Sequence, residues 1–245
     1  MKTITRLLLF FVICNPINIA CKHETSGSNK EINLNMTEYD EFELALETAH
    51  PNAQELMNDA FYWDIVDENA PFGNDAGSDA FSQFRNWRKF NPTASPVDFV
   101  NQLLESWDYP VLDLSELDSN KIRQYIETNH FDSNFTEAAN IVKHHLRQAS
   151  KNSGTDFDDA EAEIILQIVM RNMGSAFLTD TDNAIIAIGL GQFILEGKID
   201  NDIRKAAKFA ITRELMPEIV EGWGDYKSQR VERLTKIFGV LDASI

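Results

Sequence analysis

The chain of 245 residues carries 39 acidic and 22 basic side chains, and its net charge of −17 repels phosphate backbones and anionic headgroups. Nucleic acid is therefore not an expected partner, basic proteins or cations are favoured, and the same charge can also serve solubility alone. Two cysteines exclude a disulfide scaffold, and the length suits about one domain able to bury a core unaided.

At the N-terminus, Lys2 and Arg6 flank the start of an unbroken apolar run, Leu7–Ile13, which Asn15-Pro16 ends. This is the order of a secretory signal peptide over residues 1–20. The run is far shorter than the roughly 18 to 20 residues of a membrane span. Asn18-Ile19-Ala20-Cys21 resembles the lipobox of bacterial lipoproteins, in which a small residue precedes an acylated cysteine that becomes the mature N-terminus. Asn18 departs from that pattern, standing where an aliphatic residue is usual. The resemblance implies lipid attachment at Cys21, a place in the cell envelope and membrane contact through that anchor only; secretion as a soluble or periplasmic protein is the alternative. Cleavage leaves 225 residues with 20 basic and 39 acidic side chains, a net charge of −19. Residues 21–38 are too polar to offset the entropy of ordering and read as a flexible tether. Residues 39–245 read as a single helical domain, or as two lobes over 39–115 and 116–245.

Pro51 suits the first position of a helix with Ala53, Leu56, Met57 and Ala60 at helical spacing. After the aromatic cluster Phe61-Tyr62-Trp63, the loop through Asp75 holds Pro, Gly and Asn and contains at least one tight turn. The next helix starts near Asn74 or Asp75, buries Ala80, Phe81, Phe84 and Trp87, and ends before Asn91-Pro92. Ser95-Pro96-Val97-Asp98 combines an N-cap, a first-turn proline and a capping-box acid, and opens a helix bearing Phe99, Val100, Leu103, Leu104 and Trp107. Helical period is lost from Asp108 to Leu117, which predicts an extended segment or short strand near 108–114.

Further on, a short helix carries Ile122, Tyr125 and Ile126, and a longer one Phe135 to Ala149. Thr155 or Asp156 can cap a helix with Ile164, Ile165, Ile168 and Val169. Thr181-Asp182-Asn183 precedes a uniformly apolar stretch, Ala184–Leu195, that predicts a central buried helix, with Gly189 and Gly191 admitting close neighbours. Asp200 caps the next helix, Pro217 kinks or breaks it, and a last helix after Gly224-Asp225 turns Val231, Leu234, Ile237, Phe238 and Leu241 inward. The fold class is mainly α, a compact multi-helix domain.

The most distinctive stretch brackets an acidic loop, Asp64, Asp67, Glu68 and Asp75, between Trp63 and Trp87. Trp63, Asp64, Asp67, Glu68, Phe72, Gly73, Asn74, Asp75 and Trp87 make it the candidate binding loop. Ala49-His50-Pro51, Trp63-Asp64, Asp67-Glu68, Pro71 to Asp75, Trp87-Arg88 and Asn91-Pro92 together resemble a YfeS-like family of uncharacterised bacterial proteins. The resemblance covers residues 49–92 and implies no activity. Four acids around a glycine turn suit a hard cation, but the EF-hand order is absent. The same acids suit capping of the second helix and pairing with Arg85, Arg88 or Lys89. No metal site or cofactor is assigned.

Trp63, Trp87, Trp107 and Tyr109 read as core aromatics before they read as a stacking platform for a sugar or peptide. His144-His145 lacks metal-ligand spacing, and Asp156, Asp158, Asp159, Glu161 and Glu163 suit a solvated helix start or a basic partner. There is no Gly-x-Ser-x-Gly and no P-loop. Two functional classes remain: an exported, lipid-anchored acidic module that binds a basic protein, as toxin-neutralising immunity proteins do, or a cell-envelope hydrolase. The hydrolase requires two carboxyls roughly 5 to 10 Å apart.

Overall fold

The computed structural model describes residues 42–129, 143, 144, 147–152, 154 and 158–244. The chain divides into two units, Met1–Leu44 and Ala45–Ile245, and only 42–44 of the first are described. The expected signal segment 1–20, Cys21 and the tether 21–38 lie outside the described residues, as do most of the helix expected at Phe135–Ala149 and the caps Thr155 and Asp156.

The second unit is built from helices: α1 (Pro51–Leu56), α2 (Asp75–Phe90), α3 (Pro96–Ser106), α4 (Ser119–Thr128), α5 (Asp159–Glu196), α6 (Asn201–Glu214), α7 (Pro217–Val220) and α8 (Lys227–Ala243). Short 3₁₀ turns stand at Leu46–Thr48, Ala60–Trp63 and Glu221–Tyr226. Local chemistry sets most of the starts. Asn74 accepts from the Gly77 amide, Ser95 from Val97, and Asp118 from Asn120 and Lys121, each side chain satisfying amides that have no intrahelical partner. Pro51, Pro96 and Pro217 each stand in a first turn, where a missing N–H costs nothing. Asp200 occupies the N-cap of α6, yet its carboxylate turns to Lys198 and Arg88 and caps no amide of that helix.

Helix α5 is the axis of the unit. Helices α1, α2, α3, α4 and α6 all pack on it, and every residue from Thr181 to Ile194 is buried. The Phe81 ring fills the space beside Gly191, where an added Cβ would stand 2.5 Å from a ring carbon. A Cβ added at Gly189 would meet the Ala207 methyl at an ordinary 3.5 Å, so the close approach expected at both glycines occurs at one. The apolar stripe of α2, Ala80, Phe81 and Phe84, recurs at helical spacing and faces this axis. Among the described residues, no helix is long and apolar enough to cross a membrane.

Two further expectations are corrected. Thr181-Asp182-Asn183 does not precede a new helix; it lies inside α5, which runs unbroken through 38 residues. Asp182 accepts from Arg213 Nε at 3.1 Å and Nη2 at 2.5 Å, with both side chains fully enclosed. Asn183 and Glu214 each accept from Arg230 Nη2 at 2.8 Å. Asp182 and Asn183 are the α5 side of a buried ionic layer, which satisfies groups that would otherwise be costly in the interior, whereas the buried Thr181 hydroxyl has no hydrogen-bond partner. Val231 is 36 % exposed, because the buried stripe of α8 runs through Arg230, Leu234, Ile237 and Leu241 and leaves Val231 about 100° away.

Residues 109–113 form a connection without regular secondary structure, and no strand occurs among the described residues. Arg213 Nη1 donates to the carbonyls of Leu114 and Glu116, and Tyr125 Oη to Pro110. The connection is thereby strapped over the cluster of Ile122, Tyr125, Leu178 and Ile219, with Leu112 packed against it.

Candidate functional site

The candidate loop leaves the 3₁₀ turn Ala60–Trp63, whose first free amide, Phe61, donates to Asp59. The Trp63 indole donates to the Met57 carbonyl at 2.8 Å, which fixes the ring at the turn after α1. Asp64 Oδ1 accepts from the amides of Val66 and Asp67, and Asp67 Oδ1 from that of Asn69. These are consecutive Asx turns, in which a short side chain replaces the backbone partner. Asp67 Oδ2 stands 3.8 Å from Arg233 of α8, and that guanidinium lies over the Phe61 ring at 4.3 Å.

Gly73 is the joint of the loop. A Cβ there would fall 2.2 Å from the Asp67 carbonyl oxygen and 2.6 Å from that of Asp64, both backbone atoms, so a side chain would displace the turn. Asn69, Ala70, Pro71 and Phe72 are buried, with the Phe72 ring 4.8 Å from Phe81. Asn74 ties the loop to α2, accepting from Gly77 and donating to the Ala70 carbonyl. Asp64, Ile65, Val66 and Glu68 remain on the outside.

The structure does not hold the sequence candidates as one constellation. Trp87 is packed against Phe99 and Phe84 on the α3 side, whereas Trp63 belongs to the turn after α1. Asp75, in the first turn of α2, acts on Asp79 and Asp180. Among the described residues, no group of three or more His, Cys, Asp or Glu side chains could hold a metal ion.

The motif residues around the loop are joints of the fold. The His50 amide donates to the Ile194 carbonyl, and the Asn52 side chain to that of Gly197. Arg88 forks onto Glu196 at 2.5 and 3.1 Å and also donates to the Ala94 carbonyl; of the cations Arg85, Arg88 and Lys89, Arg88 thus pairs with the end of α5. The pairing holds the Arg88 guanidinium above its ordinary range. Two separated stretches, His50–Asn52 and Arg88, therefore close on one place, the C-terminus of α5. Beside the loop, Asp59, Tyr62, Lys236 and Gly239 line a shallow depression of about 280 Å³, in which Lys236 donates to Asp59 at 2.6 Å.

Sequence reasoning missed Asp180. Tyr109 Oη donates to its carboxylate at 2.8 Å, and the Tyr109 ring packs on Trp107 and Phe177. Burial pushes Asp180 up to about 6, the Tyr109 hydrogen bond opposes this, and Asp75 and Glu214 add to it. Asp180 lies in an apolar helix without a motif, and the only sequence signal is the alternation Thr179-Asp180-Thr181-Asp182. The folded state holds this proton more tightly than an ordinary carboxyl of pKa 3.8. Its contribution is therefore complete below about pH 4 and is lost as pH rises through about 6, an expected change of about 3 kcal/mol. Denaturant titrations of wild type and Asp180→Asn from pH 4 to 7 check this. The difference between the two proteins should change by that amount across the window, and parallel curves would contradict it.

No family model and no solved structure matches the chain. Uncharacterized protein YfeS of Escherichia coli (strain K12) is 36 % identical to it over 67 residues, 27 % of this chain and 28 % of that protein. The chain thus matches little more than a quarter of its relative's length, and the likeness supports a YfeS-like resemblance that carries no assigned activity.

Proposed function

We propose that this chain is an exported, lipid-anchored acidic helical module that binds a basic protein, in the manner of an immunity protein. The observation that carries the reading is the outward loop Asp64–Glu68, held on a fixed backbone in a chain of net charge −17. Acids so placed steer a basic partner into encounter and repel nucleic acid. Membrane contact is assigned to the Cys21 anchor alone, and no cofactor takes part.

One experiment tests both halves. Wild type and Cys21→Ala are fractionated from the envelope, and proteins retained on each are eluted from about 50 to 500 mM salt. Cys21→Ala should move to the soluble fraction, because stable attachment takes acyl chains that the acidic domain cannot replace. It should keep the same basic partner, released progressively as salt screens exposed charges beyond roughly 8 Å. Equal membrane retention of the two proteins overturns the anchor. Retention that ignores salt overturns electrostatic recognition.

A further inference from the structure

We infer that the Ile65–Val66 tip of the acidic loop is an apolar anchor that enters a depression on a basic protein, a depression bordered by lysine or arginine. This inference rests on the binding reading above and names the surface and the chemistry of its partner. Ile65 is 67 % exposed and Val66 80 %, adjacent residues at the end of a loop whose other large apolar residue, Phe72, is 2 % exposed. An isolated exposed aliphatic is ordinary, but this pair is the outermost part of a turn built to hold it in place. Asp64 accepts from the amides on both sides of the Val66 peptide unit, and Asp67 and Gly73 fix the base. A tip already ordered before encounter loses little conformational freedom on binding.

Charge decides which partner fits. Asp64 precedes the apolar pair and Glu68 follows it, both on the outside, so a surface that receives the tip brings its rim against their carboxylates. Arg233 is engaged with Asp67 at the base, on the α8 side. An acidic rim disfavours a second copy of this chain and an anionic lipid surface, and favours a cationic border around an apolar floor. The two contributions separate kinetically, since exposed charge acts on the rate of encounter and buried apolar contact on the rate of escape. Burying one such side chain is expected to tighten binding by roughly ten- to hundred-fold.

The test uses the purified full chain and two synthetic helical peptides of equal length and charge. One carries leucine at every third or fourth position with lysine between, so that leucine forms one helical face, and in the other serine replaces leucine. Affinities are measured at low salt for wild type and for the double variant Ile65→Ser/Val66→Ser, whose positions lie at the surface and whose fold is checked by circular dichroism. The leucine peptide should bind wild type at least tenfold more tightly than the serine peptide, and the double variant should lose that preference while it still binds both. A preference that persists in the variant, or equal binding of the two peptides to wild type, overturns the anchor and leaves electrostatic binding standing. Failure of both peptides to bind overturns the anchor and the binding reading together.

Discussion

Arg213→Met should destabilise the protein by about 3 to 5 kcal/mol, because it leaves the Asp182 carboxylate buried without its counter-ion. Both side chains are fully enclosed, and Asp182 takes its hydrogen bonds from the Arg213 fork. Burial pushes the Asp182 carboxyl up to about 7, and Arg213 opposes that rise. Without the guanidinium the carboxyl rises further and can remain neutral when folded. The penalty should therefore shrink as pH falls from 8 to about 7 and level off below that, because there the wild-type carboxyl takes up a proton as well. The Leu114 and Glu116 carbonyls also lose a donor, which loosens the strap over α4. A second variant, Asp182→Leu with Arg213→Met, should recover part of the loss, as replacement of both partners by apolar groups commonly does. Urea denaturation with the slope held common to all variants measures the series. A loss under about 1 kcal/mol for Arg213→Met would mean that the pair is not an enclosed ionic layer.

Ile188→Asp should cost several kcal/mol and leave the chain largely unfolded at 25 °C, since a carboxylate would enter a fully buried position with no cation to receive it. Ile188 lies at the centre of the stretch Thr181–Ile194, buried on every side. Ile188→Val is the control, because it removes one methylene and should cost only about 0.5 to 1.5 kcal/mol. Far-ultraviolet circular dichroism should show helix retained in the valine variant and lost in the aspartate variant. Full helicity in both would show that α5 is not the enclosed axis of the fold.

The parts of this fold that are legible in sequence are those with causes a few residues away. Asn74 before Asp75, Ser95-Pro96 and Pro217 each set a boundary through a side chain or ring acting on the next turn, and the structure places helix starts there. Thr181-Asp182-Asn183 has the same local appearance, but its partners Arg213 and Arg230 are 31 and 47 residues further along. No local rule separates a cap from a buried polar layer, so the trio reads as a boundary where the helix is continuous. The candidate site divides in the same way. The turn around Gly73 is marked by its residues, whereas the setting of Trp87 depends on Phe99, which α3 brings to it. Asp180 has no sequence signature, because its environment is assembled by Tyr109, Asp75 and Glu214 from three other parts of the chain.

The order of elements along the chain has a consequence for synthesis. Helices α1 to α4 end at Thr128, yet the surface on which they pack is α5, complete only at Glu196. At roughly 5 to 20 residues per second, the 68 residues between those points take about 3 to 14 s to emerge. During that interval Phe81, Phe84, Phe99 and Leu103, all buried in the finished protein, lack the surface of α5 and have only contacts such as Phe84 with Phe99. A chain laid out in this order completes the core of its N-terminal half late in its own production.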